Sequence, residues 1–134
     1  MPQRFVALKP PTEVTLLDIA LDAGAELSVP IPAGQSVFVM PIYGKLAVNG
    51  QHYELDKFTL PAFPAQATAQ AITLAATQGS VKAVLFAGSP LRQPVHWQGP
   101  MALASTEALA AAIAAYQHGD FGTLDSPIAS TDHA

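Results

Sequence analysis

The stretch Ser36-Val37-Phe38-Val39-Met40-Pro41-Ile42-Tyr43-Gly44-Lys45-Leu46-Ala47-Val48-Asn49-Gly50-Gln51-His52-Tyr53 holds two apolar runs joined at a glycine, then a tight turn and a third short run. Asn49-Gly50 is the strongest hairpin signal in the chain, because both central positions of a type I′ turn require positive φ. Working outward, the same rhythm of short runs cut by turn residues extends from Val14 to Ala87. Strands are predicted over Val14–Leu21, Ala25–Ile31, Ser36–Tyr43, Lys45–Val48, Gln51–Leu55, Phe58–Leu60, Ala71–Thr77 and Val81–Ala87. Short strands at roughly 8–12-residue spacing imply an antiparallel sandwich or barrel. A parallel α/β sheet would need a helix between strands, and no helical pattern occurs before Ser105.

In Val14–Leu21, Thr15, Leu17, Ile19 and Leu21 share one face and Asp18 lies opposite. Two other strands are apolar on both faces. Val81, Ala83 and Leu85 form one row, and Val84 and Phe86 the other. Val37 and Val39 face one way, Phe38 and Met40 the other. One face can line a core, and the second needs a cover as well. That cover is either the chain's own helix or a second copy or partner domain.

The helix runs from an N-cap at Ser105 to His118, with Glu107 in its first turn and Gly119 at the C′ position. Leu109, Ile113 and Tyr116 recur at helical spacing, and the rest of the surface is mostly alanine. The linking segment carries the only tryptophan, Trp97, which is expected to pack over the open end of a core.

The chain has 134 residues, half of them apolar and 12% charged, with a net charge of −4. This bounds it to one domain with a core and argues against wholesale disorder. A basic face for nucleic acid is not expected at this charge. No cysteine is present, which excludes a disulfide framework, a thiolate zinc site and a cysteine nucleophile. The start, Met1 to Phe5, lacks the apolar run of a secretory signal, and no window reaches the ~20 apolar residues of a membrane span. A soluble, cytoplasmic protein is expected.

Chemistry-bearing constellations are sparse. The histidines are His52, His96, His118 and His133, with no His-x-His or i, i+4 pair. His52 and Glu54 share a strand face, but Tyr53 and Leu55 look like the core side, which turns the pair outward. There is no Gly-x-Ser-x-Gly elbow and no glycine-rich phosphate loop. Asp18, Asp22, Glu54 and Asp56 flank turns and read as solvated carboxylates.

The segment Gly88-Ser89-Pro90-Leu91-Arg92-Gln93-Pro94-Val95-His96-Trp97-Gln98-Gly99-Pro100 is similar to the pirin stretch "G-x-P-L-x-E-P-V-x-x-x-G-P". Ser105-Thr106-Glu107-Ala108-Leu109 through Tyr116-Gln117-His118-Gly119-Asp120-Phe121-Gly122 resembles the helix and the "Y-x-x-G-x-F-G" ending of that family. Pro32-Ala33-Gly34-Gln35-Ser36-Val37-Phe38-Val39 and Gly44-Lys45-Leu46-Ala47-Val48-Asn49-Gly50 resemble its "P-A-G-H-N-A-F-V" and "G-E-V-x-V-N-G" segments. The resemblance spans about residues 12 to 122 and covers the C-terminal half of a pirin only. Pirins are bicupins of two stacked barrels, and their iron site, three histidines and a glutamate, lies in the N-terminal half. The quercetin 2,3-dioxygenase activity of some members depends on that iron, so the resemblance carries no dioxygenase role to these residues. Gln35 stands where pirins often have histidine, Tyr43 replaces a glutamate, and Met101-Ala102-Leu103-Ala104 replaces "F-V-M-N".

The expectation is therefore an all-β, cupin-like antiparallel barrel or sandwich with one C-terminal helix. Its domain covers residues 1–122, and 123–134 form a disordered tail. The function expected is that of a metal-free, cofactor-free module acting through protein–protein contacts or self-association, with no assignable catalysis and no metal or catalytic residues. Val84, Phe86, Trp97, Leu109, Ile113 and Tyr116 are the candidate interface. The expected partner is a second copy, giving a homodimer, or a partner cupin domain, with neither nucleic acid nor membrane. The alternative is a small-molecule-binding or metal-dependent dioxygenase-type cupin using the barrel interior, with Phe38, Met40 and Tyr43 lining the pocket.

Overall fold

The structure, a computed structural model, describes residues 12–57 and 59–123. Expectations for the start of the chain, for Phe58 and for the tail beyond Thr123 lie outside them. The described residues fall into two compact units divided between Leu91 and Arg92.

The first unit is a sandwich of two four-stranded antiparallel sheets. Its strands are β1 (Val14–Leu21), β2 (Glu26–Ile31), β3 (Ser36–Tyr43), β4 (Leu46–Val48), β5 (Gln51–Tyr53), β6 (Ala62–Phe63), β7 (Gln70–Ala75) and β8 (Val81–Gly88). The first sheet has the order β1-β8-β3-β6 and the second β2-β7-β4-β5. The alternation of side chains along each strand puts one row of each sheet into a shared core. The first sheet contributes Ile19, Val37, Val39, Val81, Ala83, Leu85 and Ala87. The second contributes Val29, Ile31, Leu46, Val48, Ile72 and Leu74.

Local chemistry fixes the connections. Asn49 (φ 48°) and Gly50 (φ 85°) form the type I′ turn between β4 and β5. Asn49 is also clasped to β7, since its N–H donates to the Thr73 carbonyl at 2.9 Å and its Oδ1 accepts from the Thr73 N–H at 2.9 Å. Gly44, at φ 79°, lies so close to Ser80 that an added Cβ would meet the Ser80 carbonyl oxygen. Pro41 does not end β3. The register shifts between Pro41 and Tyr43, and this bulge absorbs the ring. Pro30 sits in β2, the edge strand of the second sheet, where its missing N–H costs no internal ladder bond.

Two strand expectations need correction. Thr59 and Leu60 are not strand, and the chain joins the first sheet two residues later, at Ala62–Phe63, beside the prolines that flank it. The run from Gln51 stops at Tyr53, and Leu55–Lys57 is a single 3-10 turn. Leu55 is therefore exposed rather than on the core side.

The second unit contains β9 (His96–Gln98), β10 (Met101–Leu103) and α1 (Thr106–His118). β9 and β10 pair as a small hairpin, with Trp97 opposite Ala102. Ser105 is the N-cap of α1, its Oγ accepting from the Ala108 N–H at 3.0 Å, and Gly119 closes the helix with its N–H on Tyr116. The helix packs against β10 and β9. Leu109 is its one buried residue, and Tyr116 is 64% exposed with its ring edge-on to Phe121 at 5.8 Å. Leu109 is thus the residue that α1 packs inward, and Tyr116, two turns on along nearly the same face, is left exposed beside Phe121 near the helix end.

Candidate functional site

The two faces of the first sheet are chemically alike and structurally opposite. Along β8 the row Val81, Ala83, Leu85 and Ala87 is buried, and Lys82, Val84, Phe86 and Gly88 are half-buried on the other side. Along β3, Val37, Val39 and Pro41 are buried and Phe38 is 40% exposed. Register places Leu16, Phe86, Phe38 and Ala62 side by side in one outward row across all four strands. Leu16 is 62% exposed. The Phe38 and Phe86 rings stack at 4.7 Å and 15°, a close offset arrangement that adds ~0.5–1.5 kcal/mol to simple area burial. The next row holds Asp18, Val84 and Met40. Lys82 reaches Asp18 at 3.4 Å, so the two charges on this face neutralise each other.

A groove of about 660 Å³ opens on the same face, lined by Val14, Ser36, Val37, Phe38, Ala62, Phe63, Pro64, Phe86, Ala87 and Gly88. Gly88 leaves a gap in the row between Val14 and Ser36, and the Ser36 hydroxyl there donates to the Gly88 carbonyl at 3.3 Å. A second, more polar hollow of about 760 Å³ lies at one end of the sandwich. Ile42, Tyr43, Lys45, Glu54, Leu55, Asp56 and Gln78 line it together with Gly44.

These positions correct the pocket expected for the interior. Phe38 and Met40 occupy the outward row of β3, because Val37, Val39 and Pro41 take the inward one. Tyr43 lies beyond the bulge and faces the end hollow. Of the interface residues, Val84 and Phe86 do lie on the outer face of the first sheet. Trp97, Leu109, Ile113 and Tyr116 belong to the second unit. Trp97 is 74% exposed rather than packed over a core, and Ile113 is half-buried.

The interior offers little to a metal. An iron site of the kind the pirin resemblance implies needs imidazoles and carboxylates, yet among the described residues the buried core cluster is aliphatic, with Tyr53 and Phe63 packed against it, and Gln35, at 5% exposure, is the one buried polar residue. Its Oε1 has no hydrogen-bond partner. A single neutral amide oxygen does not fit such an ion, which needs several charged or imidazole donors. No three His, Cys, Asp or Glu side chains come together among the described residues in a group able to hold one. His52 is exposed, with Nε2 2.9 Å from the Thr77 hydroxyl. Among the described residues Glu107 stands out in its acid–base behaviour. Its own backbone N–H, then the Thr106 and Ser105 side chains, hold its carboxyl below the ordinary glutamate range at the start of α1. Among the described residues no helix is long and apolar enough to cross a membrane.

The model of the pirin C-terminal cupin domain matches residues 16–122. A comparison with curated proteins finds no match. Among solved structures, a quercetin 2,3-dioxygenase from Acinetobacter baumannii, determined at 1.88 Å, superposes with a TM-score of 0.69 at 22% identity, over 89% of this chain and 40% of that one. A 1.78 Å structure of quercetin 2,3-dioxygenase from the same organism gives 0.63 at 14% identity, over 96% of this chain and 44% of that one. At these identities the likeness shows the fold alone. The chain spans less than half the length of either structure.

Proposed function

The chain belongs to the pirin C-terminal cupin domain family, and on that premise we propose that it is a metal-free module that works by contact with another polypeptide. The contact surface is the outer face of the β1-β8-β3-β6 sheet. One observation carries this reading: β3 and β8 are apolar on both faces, the inner face meets the second sheet of the sandwich, and on the outer face Leu16 and Phe38 are exposed. Exposed apolar area of this extent, rimmed by one neutralised ion pair, is the signature of an association surface.

The competing reading is a dioxygenase-type cupin that uses the interior. The solved neighbours are quercetin 2,3-dioxygenases, but the aliphatic core speaks against that activity in this chain. Elemental analysis of the purified protein separates the two. The expected result is no stoichiometric iron, nickel, copper or zinc. One metal ion per chain, retained through dialysis against a weak chelator, would overturn the metal-free module.

A further inference from the structure

We infer that the outer face of the first sheet is built to receive a second copy of this chain, paired about a two-fold axis that runs along the strands between β8 and β3, with Leu16 of each copy seated over Ala62 of the other. The inference rests on the contact-module reading and names its partner.

The face is self-complementary across its width. The row Leu16, Phe86, Phe38, Ala62 has its bulky exposed aliphatic residue on the edge strand β1 and its small one on the opposite edge, β6. A two-fold axis parallel to the strands reverses their order. It therefore lays β1 over β6 and β8 over β3. Leu16 then projects toward the groove beside Ala62 and Pro64, and Phe86 toward Phe38. An axis across the strands would instead set Leu16 against Leu16 and leave both grooves empty.

Charge points the same way. Among the described residues, Asp18 and Lys82 are the only charged side chains on this face, and they are joined at 3.4 Å. The face therefore offers no field to steer an acidic or basic partner. Three of the strands have eight residues and β6 has two. At ~3.4 Å per residue and ~4.8 Å between strands, each copy presents roughly 420 Å² in projection. Two copies hide about 850 Å², the size of a small, reversible pairing.

The chain has no cysteine, so introduced thiols are unique. Facing sheets lie ~10 Å apart, a span for a short bismaleimide. The double variant Leu16→Cys/Ala62→Cys, treated with that reagent, is expected to run as a covalent dimer on a denaturing gel. Either single variant should give at least ten-fold less. Within one copy the two thiols are three strands apart, ~14 Å, beyond the reagent's reach. Light scattering of the parent protein should give twice the chain mass. Self-linking by Leu16→Cys alone at full yield would overturn the axis. A dimeric mass with no cross-link would move the interface to another surface. A monomer free of metal would overturn self-pairing and leave the contact module standing, whereas a monomer with a bound metal ion would overturn both.

Discussion

Leu85 and Phe86 are adjacent on one strand and point to opposite sides of the same sheet. Leu85 is wholly buried among aliphatic side chains, and Phe86 is half-buried with one ring stacked on it. Apart from Lys82 both rows of β8 are apolar, so the hydrophobicity of Leu85 and Phe86 does not itself decide which side is the core. The facing sheet decides it, because only the inner row meets Leu46, Ile72 and Leu74. The difference separates two uses of the same residue types. On one side they hold the fold together, and on the other they are left for association.

Mutation can break this comparison. Leu85→Ala should cost the most, ~2–5 kcal/mol, from lost transfer energy and a cavity the packed core cannot collapse. Phe86→Ala removes a larger side chain but should cost only ~1–2 kcal/mol in urea melts at low protein concentration, because it loses a half-exposed ring and one stack. Equal losses in the two variants would mean that the outer face is as much a core as the inner. Between them stands Gly44→Ala, whose added methyl meets the Ser80 carbonyl at a positive φ. Its cost of ~1–3 kcal/mol should appear in the same melts without altering the outer face.

The expected strands β1 and β3 coincide with the observed ones to the residue, because each is an apolar-rich run bounded by clear turn residues. The Asn49-Gly50 hairpin was legible for the same local reason. What could not be read was parity. With Val37 and Phe38 both apolar, the sequence of β3 does not say which row turns inward, and Phe38 and Met40 were accordingly expected in an interior pocket. The hairpin of β9 and β10 was also missed. Strands of three residues are too short to show a period, and Pro94, Gly99 and Pro100 read only as a linking segment. The groove beside Ala62 depends on β6 joining β3, a pairing of two residues that no local pattern announces.

Two smaller effects sharpen the comparison from outside it, since they belong to the second unit, at the start of α1. Ser105→Ala removes the hydroxyl that accepts from Ala108. It should lower stability by ~1 kcal/mol, read as reduced helicity by circular dichroism. The smallest effect is a pH dependence. The Glu107 carboxyl is held below its ordinary value in the folded chain, so its contribution is present above the ordinary glutamate range. It fades as pH falls through the depressed folded value. Glu107→Gln should remove that small contribution at neutral pH and flatten that part of the acid titration of α1, so that parent and variant converge at low pH. An acid titration identical in parent and variant would remove Glu107 from the account.

Any open margin of a sheet is a template for the next chain. Pro30 closes one such margin. It stands in the outermost strand of the second sheet with no amide hydrogen to offer, so an incoming backbone meets a missing rung there. That ring guards the β2 margin against fibre-like growth.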